Sequence, residues 1–181
     1  MITTVCMNPS FDKTAAVEKI VTGDVNRLKE VRCDVGGKGV NVAVVLRRLE
    51  GDVNCIGCVG DIDESEFLDL LAQEEVRFTP FRLPGKIRTN LKICDLSSNV
   101  VTEFNEPGLT MSESQLEDFL RLLQKEAEPS RYAVLSGSLP AGCPDDTYLK
   151  CMEALRGKDC VLDTSGDSLL RGLKEKPFLI K

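Results

Sequence analysis

With 181 residues, 42% of them apolar and 29% charged, the chain has the composition of a globular domain, large enough to bury roughly 70% of its unfolded surface. A net charge of −6 and the lack of any histidine exclude the basic excess of a nucleic-acid binder, imidazole base catalysis and histidine metal ligation within these residues. No run reaches the about eighteen apolar residues of a membrane span, and the opening Met1-Ile2-Thr3-Thr4-Val5-Cys6 lacks the basic region and long apolar stretch of a signal peptide, so no membrane partner and a cytoplasmic address are expected.

The first expected element is a strand over 2–7, and Asn8-Pro9-Ser10-Phe11-Asp12 follows it. Residues 14–35 carry no helical stripe and read as strand-like runs around polar turns. Then comes Gly36-Gly37-Lys38-Gly39, leading into an apolar helical pattern from Val40 to Leu49. Glycines let the backbone approach a ligand, and amides at a helix start favour an anion. The spacing is neither the Walker pattern, since no Ser or Thr follows Lys38, nor the dinucleotide fingerprint, since no third glycine arrives on schedule. By itself the tetrad is equally an anion-binding turn or a loop lysine between two turn glycines.

A strand over 53–59 holds Cys55 and Cys58, a C-x-x-C pair without a second pair at zinc-knuckle spacing. The cysteines are therefore expected to be buried and reduced, and no metal ligands are assigned. A helix is expected over 64–74. Residues 87–104 read as a hairpin turning at Ser97-Ser98-Asn99. Ser112 and Gln115 form a capping box for a helix that buries Leu116, Phe119, Leu120 and Leu123, with Pro129 closing it. Strands over 132–135, 160–162 and 178–180 and a helix over 145–155 complete the chain. Strands alternating with helices predict a mostly parallel sheet flanked by helices, and the hairpins predict a small second sheet acting as a lid or an oligomer contact.

Open α/β sheets hold ligands at the carboxyl edge of their strands. Asp12, Arg88, Ser136-Gly137-Ser138 and Asp163 all leave strands, or start the hairpin, at that edge. A carboxylate there can accept from sugar hydroxyls, and an arginine fork matches phosphate oxygens. Each has a plainer reading: Asp12 a turn residue, Arg88 solvated, Ser-Gly-Ser a turn, Asp163 a cap for the next segment.

Together, Asn8-Pro9-Ser10-Phe11-Asp12, Gly36-Gly37-Lys38-Gly39-Val40-Asn41-Val42-Ala43, Arg88-Thr89-Asn90, Asn105-Glu106-Pro107-Gly108, Ser136-Gly137-Ser138-Leu139-Pro140 and Leu162-Asp163-Thr164-Ser165-Gly166 resemble the sugar-phosphate branch of the ribokinase-like (PfkB) carbohydrate kinases. The resemblance runs in order along essentially the whole chain. Within the branch, Asp12-Lys13-Thr14, Gly23-Asp24-Val25-Asn26-Arg27 and Thr89-Asn90-Leu91-Lys92-Ile93 are most similar to members acting on fructose 1-phosphate, with those acting on tagatose 6-phosphate next.

The resemblance implies a ribokinase-like α/β domain over 1–181 with a β lid from about 13–35 and 87–105. It implies ATP-dependent phosphoryl transfer to a ketose phosphate, with Mg²⁺ present. Asp12, Asn41 and Gly37 would meet the sugar; Lys38, Arg88 and Arg27 would meet its phosphate. Ser136, Gly137 and Ser138 would floor the pocket, and Lys181 would lie on the nucleotide side. The family's Mg²⁺-associated acidic residue, nucleotide loop and Gly-Ala-Gly-Asp motif do not occur, so no catalytic base is assigned and the chain is expected to be an N-terminal portion, inactive alone. A homodimer through the lid is expected. A non-catalytic sugar-phosphate-binding module is the alternative.

Overall fold

Strands buried on both faces must be apolar throughout, and the short apolar runs of this chain pair in that way. In a computed structural model, which describes residues 1–181, the elements are β1 (Ile2–Cys6), β2 (Ser10–Val17), β3 (Glu30–Gly36), α1 (Lys38–Arg48), β4 (Val53–Gly60), α2 (Glu64–Ala72), β5 (Arg77–Leu83), β6 (Arg88–Asp95), β7 (Val100–Asn105), α3 (Glu113–Glu126), β8 (Tyr132–Ser136), α4 (Thr147–Ala154), β9 (Asp159–Asp163), α5 (Gly166–Gly172) and β10 (Leu179–Ile180). A single 3₁₀ turn, Leu173–Glu175, follows α5. Six strands form one sheet in the order β10-β9-β8-β1-β4-β5, every neighbouring pair parallel.

Helices cover both faces of this sheet, each face with its own core. Cys55 and Val59 of β4 join Val40 and Ala43 of α1 and Phe67 and Leu71 of α2. On the other face Ile56 and Cys58 join Leu116, Phe119 and Leu123 of α3 and Tyr148 and Cys151 of α4. Strand alternation thus sends Cys55 and Cys58 to opposite faces, where each is a small apolar side chain. All eight cysteines are free thiols. The expected burial fails for Cys33, which is exposed, and for Cys94 and Cys143, which are half-buried.

The capping box is in place: the Gln115 amide donates to Ser112 Oγ at 3.3 Å, and the Ser112 amide to Gln115 Oε1 at 2.9 Å. Leu116, Phe119 and Leu123 are buried, while Leu120 is only half-buried against the core. Two elements go beyond the sequence reading. β5 reads Arg77-Phe78-Thr79-Pro80-Phe81-Arg82-Leu83, and a proline among arginines is tolerated because this strand is the sheet's outer edge. The other is α5, a short helix after β9.

A second sheet, in the order β3-β2-β6-β7, grows from the carboxyl end of β1. Its central pair β2–β6 is parallel and its outer pairs are antiparallel. β2 begins at Ser10, ahead of the expected residue 13, and residues 18–29 form an exposed connection without strand structure. The β6–β7 turn falls at the expected place, with Asn99 at φ 56°. Asp95 ties this turn to the connection, accepting from the amides of Ile20 and Ser97, both at 2.9 Å, and of Ser98 at 3.1 Å.

Candidate functional site

β1 lies between β8 and β4, so the chain winds outward in both directions from it, and the carboxyl end of β1 is the switch point where open α/β sheets hold ligands. Three segments meet there: the turn Met7-Asn8-Pro9, the start of α1 and the ends of β8 and β9. Gly37 is the residue before α1, with φ 106° and no side-chain cap. A Cβ at Gly37 would stand 2.6 Å from Cys6 Sγ and 3.0 Å from Pro9 Cα, so the turn needs glycine for both conformation and space. The first-turn amides of α1 therefore begin at bare main chain, and their partial positive charge is offered to an anion. Burial pushes the Cys6 thiol up, and this outweighs the opposing effect of the nearby Val40 and Gly39 amides and of the Arg88 charge.

A cavity of about 230 Å³ opens at this point, lined by Asn8, Lys38, Arg88, Ser136, Gly137 and Ser138 among others. Arg88 donates through Nη2 to the Asn8 carbonyl at 3.2 Å and through Nε to the Pro9 carbonyl at 3.3 Å. These neutral acceptors position the guanidinium without cancelling its charge. Lys38 differs, since its Nζ ion-pairs with Asp163 Oδ1 at 3.1 Å. The other oxygen of Asp163 accepts from Ser136 Oγ at 3.3 Å and faces Lys181 Nζ at 3.8 Å. The Gly137 carbonyl accepts from Thr164 Oγ1 at 3.0 Å and Tyr148 Oη at 3.1 Å, which pins the floor of the cavity. Asn8 Nδ2 reaches Ser138 Oγ at 3.1 Å and stitches the β1 end to the β8 end.

Asp12 and Asn41 line a neighbouring cleft of about 550 Å³ between the second sheet and α1, together with Lys92. Along the chain the glycine tetrad runs from the one lining to the other, from Val35 to Lys38, and any side chain at Gly36 would collide with the Asp12 carboxylate and the Ser10 hydroxyl. Asp12 Oδ1 accepts from Ser10 Oγ at 2.7 Å and Asn90 Nδ2 at 3.0 Å, and Oδ2 pairs with Lys92 Nζ at 3.2 Å. Burial pushes this carboxyl up, but the hydrogen bonds from Ser10, Asn90 and Lys92 outweigh it and hold the group below its ordinary range.

The structure thus gathers Lys38, Arg88, Ser136, Gly137 and Ser138 around one cavity and Asp12 and Asn41 around another, while Gly37 lines neither and stands just before α1, against Cys6 and Pro9. Arg27 stands apart, on the exposed connection between β2 and β3, and lines neither depression. Sequence reasoning gave no role to Ser10, Asn8, Asn90 or Lys92, and placed Asp163 at the ligand-holding edge without a partner. For Asn90 and Lys92 a signal exists in strand parity: Arg88, Asn90 and Lys92 alternate onto one face of β6, in register with Ser10, Asp12 and Thr14 of β2. Nothing local to Asp163 announces its pairing with Lys38, which is 125 positions away.

No three Asp, Glu, Cys or His side chains converge as a metal site. Asp163, the carboxylate nearest the cavity, is already held by Lys38 and Ser136. These residues by themselves do not fit a Mg²⁺ site. Lys181, an exposed cation facing Asp163, is by itself no nucleotide cradle.

A doubly wound sheet with a polar cavity at its switch point and a second sheet beside it is an architecture that holds a small polar ligand at the strand ends. Residues 6–181 match the model of the pfkB family carbohydrate kinases, and the chain belongs to that family. It is 35% identical to the 1-phosphofructokinase of Vibrio cholerae over 99% of its own length and 57% of that protein. With the 1-phosphofructokinase of Bacillus subtilis the identity is 37% over 100% of this chain and 59% of the relative. Among solved structures, Escherichia coli phosphofructokinase-2 in complex with fructose-6-phosphate superposes with a TM-score of 0.88 at 27% identity, covering 96% of this chain and 58% of that one. The chain therefore spans somewhat more than half the length of the proteins it matches.

Proposed function

We propose that this chain carries the sugar-phosphate half of a cytoplasmic, ATP- and Mg²⁺-dependent kinase that converts fructose 1-phosphate to fructose 1,6-bisphosphate. The observation that carries this reading is the uncompensated guanidinium of Arg88. It bonds only to main-chain carbonyls at a cavity that also receives Lys38 and the α1 N-terminus. A neutral sugar would leave that charge without a counter-ion, whereas a phosphate already on the substrate supplies one. Fructose 1-phosphate is chosen over tagatose 6-phosphate because the relatives matched at 35% and 37% identity are 1-phosphofructokinases.

In this reading Asp12 and Asn41 hold sugar hydroxyls from the cleft, and Gly37 lets the sugar lie against main chain. Lys38, released in part from Asp163, joins Arg88 at the phosphate, with Ser136, Gly137 and Ser138 as the floor. Lys181 meets the nucleotide side, and the second sheet acts as the lid. Val31, Val100, Val101 and Phe104 are apolar and exposed on that sheet, which supports a homodimer formed through it.

Calorimetric titration of the chain with fructose 1-phosphate, fructose and inorganic phosphate tests the reading. Fructose 1-phosphate should bind, fructose far more weakly, and Arg88→Ala should weaken fructose 1-phosphate about ten- to a hundredfold. Equal affinity for fructose, or an Arg88→Ala variant that binds as the wild type does, would overturn it.

A further inference from the structure

Among the charged groups lining the cleft, Lys92 is the one that pairs directly with Asp12, and no role has been given to it. We infer that Lys92 is a substrate-recognising residue which, paired with Asp12, grips two neighbouring hydroxyl oxygens of the bound ketose and so reads the sugar rather than its phosphate. This rests on the sugar-phosphate reading above.

Asp12 Oδ1 is filled by Ser10 and Asn90, while Oδ2 meets only the Lys92 ammonium. A carboxylate oxygen accepts two hydrogen bonds and an ammonium donates three. The pair therefore keeps a spare acceptor and two spare donors, and both residues line the cleft. The two atoms are 3.2 Å apart, a hydrogen-bond length, which is also how neighbouring hydroxyl oxygens of a sugar are spaced. One hydroxyl can donate to Oδ2 while the next accepts from Nζ. Asn90 Oδ1, in the same cluster, is buried without a partner, so the group has a further acceptor open to a donor.

Charge and burial point the same way. The side chains of Lys92 and Asp12 are 33% and 19% exposed, so the pair is largely shielded yet reachable from the cleft. Asp12 alone would repel a phosphorylated ligand. Neutralised by Lys92, it offers polar groups without net charge beside a cavity whose cations are left to the phosphate. Sugar recognition and phosphate recognition are then separable, the first by Asp12 and Lys92 farther along β2 and β6, the second by Arg88 at the start of β6 with the α1 N-terminus. A purely structural ion pair between the two strands would not separate them.

The test compares Lys92→Met and Lys92→Arg with the wild-type chain by calorimetry, using fructose 1-phosphate and inorganic phosphate, with thermal unfolding to confirm the fold. Lys92→Met should weaken fructose 1-phosphate about ten- to a hundredfold while leaving inorganic phosphate within about twofold, and Lys92→Arg should restore most of the loss. Asp12→Asn combined with Lys92→Met should lose no more than the larger single effect, because the two act as one grip. Should Lys92→Met not fold, Lys92→Gln takes its place. Unchanged fructose 1-phosphate binding in a folded variant would overturn the role of Lys92 and leave the sugar-phosphate reading standing. Equal loss for both ligands would mark a structural ion pair and overturn it as well. No binding by the wild type would remove both together.

Discussion

β4 and β7 show how differently the two sheets are held. Every residue of β4 is buried, whereas β7 has only Thr102 partly covered. The six-stranded sheet is clamped between two apolar cores. The second sheet depends on its ladders and on polar clusters around Asp12 and Asp95. The candidate site lies where they join. The end proposed for the phosphate is built on the clamped frame through Ser136 and the start of α1, with Arg88 reaching it from the first residue of β6. The end proposed for the sugar hangs on strands whose polar contacts a ligand can share or displace.

The contrast is broken most severely by substitutions in the frame. Phe119 is fully buried and packs edge-on against Phe81 with ring centroids 5.4 Å apart, so Phe119→Ala should cost about 3–5 kcal/mol in urea unfolding. A cost near zero would mean that the frame is not clamped as described. At the junction, Gly37→Ala places a side chain at φ 106° against Cys6 and Pro9, and should cost about 1–3 kcal/mol while weakening fructose 1-phosphate binding. A stable variant with normal affinity would show that the turn does not need its glycine.

The second sheet should respond to acid. The Asp12 carboxyl is lower in the folded chain than in the unfolded one, where it is about 3.9. Its contribution is complete above the unfolded value and is lost as pH falls through the folded one. Lys92→Met removes one of the interactions that lower it, so acid unfolding followed by circular dichroism should shift to higher pH, by about a few tenths of a unit. A shift to lower pH would contradict the ion pair. The smallest effect belongs to Phe104→Thr on exposed β7, expected within about 0.5 kcal/mol of wild type in urea unfolding at a protein concentration where the chain is monomeric. A loss there comparable to that of Phe119→Ala would show that Phe104 is packed within the single chain.

Legibility followed the same division. The inner strands β1, β4, β8 and β9 were readable because burial demands apolar runs, β10 because its short run is apolar even at the exposed edge, and α3 because Ser112 and Gln115 write its start in the sequence. β5 was not, since an edge strand tolerates Pro80 and two arginines. The tetrad at Gly36 marked the helix start where the cavity lies. What remained hidden was register: that Arg88, Asn90 and Lys92 share a face with Asp12, that Lys38 is tied to Asp163, and that the site divides into two depressions. Such facts depend on partners far apart in sequence, which no local pattern encodes.

Amide chemical-shift mapping of the isotope-labelled chain during titration with fructose 1-phosphate tests the central claim most directly. The account predicts saturable shifts at Gly37, Lys38, Gly39, Asp12, Arg88 and Ser136 through Ser138, with little change along β7 or α3. Shifts confined to other surfaces, or none at saturating ligand, would contradict a sugar-phosphate site at this seam.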